Sequence, residues 1–170
     1  MVQLPHENHI IEEYLYTHDY LSQNNYDFYE VSNFAKKGKE SRHNLLYWQQ
    51  EEYLGLGPSA SGTINRTRYQ NIPQLKEYIN RLNSHQLPVI HEETLNNEQW
   101  VHEKVMLSLR TREGLDCDTL QKISSTKWYT TFQNKVSQYI KSGHLVQNGK
   151  YLSATKRGLL LLDHIILNIV

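Results

Sequence analysis

Apolar positions recur at three- and four-residue steps over residues 9–24, where Ile10, Tyr14, Leu15, His18 and Leu21 fall on one face. That spacing predicts an amphipathic helix, broken by Asn24-Asn25. Large and charged residues alternate over residues 26–31, the period-two pattern of a strand. A helix feeding a strand is the αβ half of an α/β unit, and one half alone cannot cover both faces of a sheet. The opening therefore reads as an internal piece of a larger fold. Residues 53–56 read as a further strand and 57–62 as a tight turn of small residues, where backbone can approach a ligand or a neighbouring strand closely. Residues 67–70 suit another strand, and Pro73 opens a helix over 75–82 from the favoured first-turn position. Residues 85–94, with Pro88 and Glu92-Glu93, read as a connector that divides the chain into units 1–90 and 91–170.

The second unit has the more regular pattern. Asn96 or Asn97 caps a helix in which Val101, Val105 and Leu109 are four apart. Gly114 punctuates it, and Asp116 caps a short helix with Cys117, Leu120 and Ile123 inward. Phe132, Val136, Tyr139 and Ile140 mark a third helix ending at Gly143. Leu145-Val146 and Tyr151-Leu152 flank Asn148-Gly149, a hairpin signal. Thr155 caps a last helix with Leu159, Leu162, Ile166 and Ile169 on its apolar stripe. Three helices, a hairpin and a closing helix make a winged-helix-like module, so the fold class expected for the whole chain is α+β.

Many such modules read DNA with their third helix. Here that helix offers Lys127, Lys135 and Lys141 with no arginine, and Gln133 and Asn134 as base-edge readers. Formal net charge is zero, though unevenly spread: residues 1–97 hold eight Lys/Arg against twelve Asp/Glu, and residues 98–170 hold ten against six. With so thin a cationic stripe no DNA partner is expected, and packing against a larger domain is the expected duty of the module.

A length of 170 residues with 38% hydrophobic content and twelve tyrosines suits one medium domain or two small ones. Cys117 is the sole cysteine, so the chain can form no internal disulfide and cannot by itself ligate an iron–sulfur cluster. Residues 1–10 lack an apolar leader core, and the apolar run 159–170 is interrupted by Asp163, His164 and Asn168. A reducing, cytoplasmic setting is expected.

The densest chemistry lies in Ser41-Arg42-His43-Asn44-Leu45-Leu46-Tyr47-Trp48, followed by Glu52-Tyr53-Leu54-Gly55-Leu56-Gly57-Pro58-Ser59-Ala60. Neutral imidazole is a common soft-metal and haem-iron ligand, and Asn44 beside it can fix a tautomer or cap a turn. Tyr47 and Trp48 add flat apolar faces with polar edges, and helical spacing puts His43, Tyr47 and Trp48 on one face. A histidine among aromatics is also a common structural hydrogen-bonding residue, and no cluster of further ligands accompanies this one. The loop Lys36-Lys37-Gly38-Lys39 reads as solvated, and neither a Walker loop nor a GxGxxG is present. His6, His9, His18, His85, His91, His102, His144 and His164 show no ligand spacing.

These residues carry a resemblance. Tyr29-Glu30-Val31-Ser32-Asn33-Phe34-Ala35, the His43-Asn44-x-x-Tyr47-Trp48 string, Tyr53–Ala60 and Leu107–Leu115 resemble the radical-SAM family of oxygen-independent coproporphyrinogen III oxidase-like proteins, most closely its HemW haem-chaperone branch. The resemblance covers nearly the whole chain in order. It implies the last elements of a partial (β/α) barrel, then a HemN-type winged-helix-like domain. In the full-length protein it implies a [4Fe–4S] cluster on a three-cysteine loop with S-adenosylmethionine on its open iron; neither that loop nor the first barrel strands are in this chain.

Carried over by position, Phe34 and Ala35 fall on the S-adenosylmethionine side. His43 falls on the haem-linked histidine, with Asn44, Tyr47 and Trp48 as surroundings. The implied partners are the missing N-terminal barrel, haem or porphyrin, and a haem-acceptor protein, which can be membrane-associated. The first functional expectation is haem binding and transfer. The alternatives are oxidative decarboxylation of coproporphyrinogen III, whose radical chemistry this chain cannot perform alone, and nucleic-acid binding.

Overall fold

A computed structural model describes residues 6–170; residues 1–5, where part of the leader reading and the start of the first unit fall, lie outside the described residues. His6 caps α1 (Glu7–Gln23) through its imidazole, which accepts from the Asn8 amide. After Asn25, at a φ of +65°, the chain forms β1 (Asp27–Glu30) and β2 (Asn33–Ala35). The two pair antiparallel with Phe28 opposite Phe34. This differs from the αβ half of an α/β unit expected at the opening, and Phe34 and Ala35 lie in the second strand of the pair. The chain reverses directly at Val31-Ser32, where the Glu30 carboxylate accepts from the Ser32 amide and the Asn33 side chain.

Then follow α2 (Arg42–Trp48), β3 (Ser61–Ile64), β4 (Thr67–Asn71), α3 (Leu75–Asn83) and β5 (Val89–Thr94). The three strands form an antiparallel sheet in the order β3-β4-β5. The strand expected over 53–56 is not formed; only Tyr53 bridges to Thr63, and the rest runs as an irregular strap. The expected connector over 85–94 contains β5, drawn into the sheet by β4 although five of its six side chains are exposed. Pro73 sits one residue before the Gln74 cap, outside the helix it was expected to open.

The last stretch comprises α4 (Asn97–Ser108), β6 (Leu115–Asp116), α5 (Cys117–Ile123), α6 (Thr126–Lys141), β7 (Leu145–Asn148), β8 (Tyr151–Ala154), α7 (Lys156–Leu159) and α8 (Leu162–Ile169). Asn96 and Gln99 form a reciprocal capping box on α4. The hairpin pairs Asn148 with Tyr151, so its two loop residues are Gly149 and Lys150, with Gly149 at φ +59°. β6 adds to this hairpin in the order β6-β8-β7. The single closing helix expected after Thr155 is two: Thr155 caps α7, and the chain breaks at Leu160-Leu161 before α8.

One apolar cluster holds these elements together, including Val105, Leu109, Leu120, Phe132, Leu152 and Ile165, each at most 1% exposed. It draws wholly on residues 101–169. Earlier residues reach it along one seam: β1 continues past β2 onto segment 110–112, where the Val31 amide donates to Arg110 O and the Arg112 amide to Tyr29 O. Ion pairs Arg112–Asp27 and Lys156–Asp19 flank that seam.

Candidate functional site: the helix carrying His43

Ser41 starts α2 by accepting from the Asn44 amide at 3.3 Å, leaving Asn44 free to reach elsewhere. The helix ends at Gln49, and Gln50 at φ +60° turns the chain away. Seven residues make two turns, which split the aromatic motif between two faces.

On the outer face His43 and Tyr47 are both exposed. The Tyr47 hydroxyl lies 2.8 Å from His43 Nε2, with the two rings edge to face at 4.9 Å. Tyr53 meets Tyr47 edge to face at 4.5 Å, extending the row to three rings. On the inner face Asn44 Nδ2 donates to the Tyr29 hydroxyl at 3.2 Å, tying α2 to β1. Leu45 and Trp48 line a cleft of about 710 Å³ shared with Tyr29, Lys104 and Tyr151. Trp48 therefore does not share the face of His43, and Asn44 orients Tyr29 rather than the imidazole. Both departures follow from the 100° step per residue: positions 44, 45 and 48 rotate inward when 43 and 47 face out.

A cross-braced loop holds α2 in place. Gln50 Nε2 donates to Trp100 O at 3.2 Å and to Glu103 Oε2 at 3.0 Å, and the same carboxylate group receives Arg68 from β4. Lys104 Nζ donates to Gln49 O at 2.7 Å, and partial burial pulls its pKa down while Glu51 and Asp116 push it back up. Glu103 thus joins the end of α2, the three-stranded sheet and α4.

Phe34 and Ala35 stand elsewhere. Ala35 is buried, and Phe34 meets the His18 ring edge-on at 4.8 Å. No hydrogen bond or ring contact joins either to His43 among the described residues. His18, which shows no ligand spacing in the sequence, is 4% exposed, packed by Tyr14, Phe28 and Phe34, with no partner for Nε2 among the described residues. Its place in the apolar stripe of the first helix was the available signal.

Burial holds the His18 imidazole below its ordinary value of 6.5, and Lys156 acts in the same direction. Below about pH 6.5 the unfolded chain takes up a proton that the folded chain refuses. Stability is therefore expected to be full above that pH and to fall as pH drops through the lower folded-state value. Urea midpoints compared between pH 7.5 and pH 5 should fall further for the native chain than for His18→Leu; equal slopes would show that this imidazole does not titrate against folding.

No group of three His, Cys, Asp or Glu side chains placed to hold a metal ion occurs among the described residues. A haem iron needs only one imidazole, and His43 meets that requirement on an open face. Its Nε2 is engaged by Tyr47, so ligation through that atom must displace the phenol. Tyr47→Phe removes a competing bond with a net worth of about 1 kcal/mol, so a haem iron ligated through His43 would be held about fivefold tighter in that variant by Soret titration. Weaker binding in this variant would mean instead that the phenol helps to hold the iron. Cys117 is buried against α6, and its thiol pKa is pushed up by burial and by Asp116, so it serves as core packing rather than as a ligand.

Comparison with known proteins places the second half of the chain in a described domain family. The HemN C-terminal domain family matches residues 95–161. Over 158 residues the chain is 30% identical to the "Heme chaperone HemW" of Lactococcus lactis, covering 93% of this chain and 41% of that protein. It is 34% identical over 146 residues to the protein of the same name from Mycobacterium tuberculosis H37Rv, covering 86% and 35%. The structure of coproporphyrinogen III oxidase (HemN) from Escherichia coli superposes with a TM-score of 0.71 at 20% identity, over 98% of this chain and 42% of that one; this likeness shows the fold. The chain belongs to the HemN/HemW-like radical-SAM family and spans less than half the length of these relatives.

Proposed function

We propose that this chain is the C-terminal part of a HemW-like haem chaperone and that it binds haem on α2 and passes it to an acceptor protein. What carries the reading is the match to proteins named heme chaperone over 93% of the chain, combined with an exposed imidazole in a row of three aromatic rings. In this reading His43 is the axial ligand, Tyr47 and Tyr53 offer ring edges, and Asn44 and Trp48 fix the helix from within. A single ligand on an open face suits a cargo that must be released. The acceptor, which can be membrane-associated, supplies the tighter site; no helix among the described residues is long and apolar enough to cross a membrane itself.

The whole protein would carry a [4Fe–4S] cluster and S-adenosylmethionine, both held by the barrel that the relatives' greater length accommodates. Phe34 and Ala35 are proposed to face the S-adenosylmethionine side of that barrel, with units 1–90 and 91–170 as its end and the accessory domain. The order α4-β6-α5-α6-β7-β8, with two strands forming a hairpin, supports a winged-helix-like reading of the second unit. The oxidase alternative draws support from likeness of fold alone.

The test is transfer. The chain loaded with one haem should give it up to apomyoglobin, read as the growth of the myoglobin spectrum. A chain that takes up no haem, or loads it and does not yield it, contradicts the proposal.

A further inference from the structure

A groove of about 430 Å³ opens between α3, the β3-β4-β5 sheet and the strap at residues 54–57. Its apolar lining comes from Leu54, Leu56, Ile64, Leu82, Leu87 and Pro88. Leu54, Leu56 and Leu87 are 66%, 83% and 78% exposed. Leucines so placed around one concavity are unusual on a settled surface and mark a contact site.

The strap is fixed in this posture. The Gly55 amide donates to the Tyr69 hydroxyl at 2.8 Å and the Gly57 amide to the Tyr78 hydroxyl at 3.1 Å. Asn71, itself buried, donates through Nδ2 to both Gly55 O and Gly57 O at 3.0 Å. A Cβ on Gly55 would stand 2.4 Å from Ser61 O, so glycine is required there. These bonds employ the strap's own amides and carbonyls and leave its two leucines outward.

The same bonds say what the groove suits. A peptide laid in it would look for backbone partners, and those of Gly55 and Gly57 are already engaged. The volume is that of a small-molecule site. Glu92 is the one charged side chain in the lining among the described residues, so acid groups of a ligand would stay outside. An exposed Arg42 stands beside His43 with no ion pair among the described residues. The chain leads from the His43 face into the groove: Tyr53, at the end of the His43–Tyr47–Tyr53 row, precedes the groove residue Leu54 directly in sequence. A flat apolar molecule with its carboxylates confined to one edge fits these features together.

We propose that the groove and strap receive the apolar edge of a tetrapyrrole, giving the cargo a resting surface that works without iron. This rests on the haem reading above and adds to it a contact independent of ligation.

The experiment titrates the 170-residue chain with haemin by absorbance and with metal-free protoporphyrin IX by fluorescence. The native chain should bind both, and His43→Ala should keep the metal-free porphyrin. The double variant Leu54→Glu/Leu56→Glu, and separately Leu87→Glu, should lose at least about tenfold in metal-free porphyrin affinity, with unchanged circular dichroism and melting because all three side chains are exposed. Porphyrin binding within twofold of native in both leucine variants overturns the proposal. A native chain that binds neither compound overturns the haem reading as well, and the two failures are thereby told apart.

Discussion

His43→Ala is expected to abolish the imidazole-ligated Soret and visible bands of the haem-loaded chain and to weaken haemin binding at least about tenfold, a loss of about 1.4 kcal/mol or more. The reason is positional. His43 is the imidazole on α2, its Nε2 faces outward toward the Tyr47 hydroxyl, and its ring is exposed. Because the ring makes no contact with the apolar cluster of residues 101–169, the substitution should leave the fold and its melting temperature unchanged. Loss of ligand without loss of fold separates this effect from general damage. Imidazole added at low concentration should restore part of the native, singly ligated spectrum in the variant, since the missing group is a single ring.

Phe132→Ala should have the largest effect on stability, about 3–5 kcal/mol by urea denaturation. Phe132 is 1% exposed at the centre of the cluster, stacked on Trp128 at 5.3 Å and on Tyr129 at 6.1 Å. Trp128 in turn donates through Nε1 to His102 Nε2 at 3.1 Å, which fastens α6 to α4. Removing the phenyl ring leaves a cavity and strips the Trp128 face of its partner. A loss below about 1.5 kcal/mol would show that the neighbours collapse into the space. Haemin affinity measured well below the unfolding midpoint should not change, because the cluster and α2 share no buried side chain.

The second half of the chain was legible because local signals and burial agree there. Val101, Val105 and Leu109 are four apart and all buried, and Asn96 caps α4 as its side-chain chemistry directs. Gly143 at φ +75° and the Gly149 hairpin stand where glycine is needed. What failed was set by distant partners. β5 ends in His91-Glu92-Glu93-Thr94 and looks like a polar connector, yet the open edge of β4 pairs with it. The strap at 54–57 looks like a strand, but side chains from Tyr69, Asn71 and Tyr78 hold it out of the sheet. In the closing helix, Gly158 passes so near His144 O that a Cβ would lie 1.9 Å away. That close approach follows from the hairpin, not from helical propensity, and goes with the division into α7 and α8.

The candidate site was legible in composition and less so in arrangement. The string His43-Asn44-x-x-Tyr47-Trp48 marked the helix, and the i, i+4 spacing gave the His43–Tyr47 pair. Placing Trp48 with them stretched the face by one residue too many, since it lines the inner cleft. Tyr29 and Tyr53, which complete the inner and outer surroundings of α2, sit fifteen residues before Asn44 and six residues after Tyr47, and only folding brings them there.

The central claim is that haem is held by the outward imidazole of α2. It is tested most directly by histidine ring nitrogen resonances of the ¹⁵N-labelled chain titrated with diamagnetic gallium protoporphyrin IX. The account predicts that the His43 ring signals shift with saturation at one equivalent while those of buried His18 stay in place. An unmoved His43 beside a shifted signal from any other histidine would contradict it.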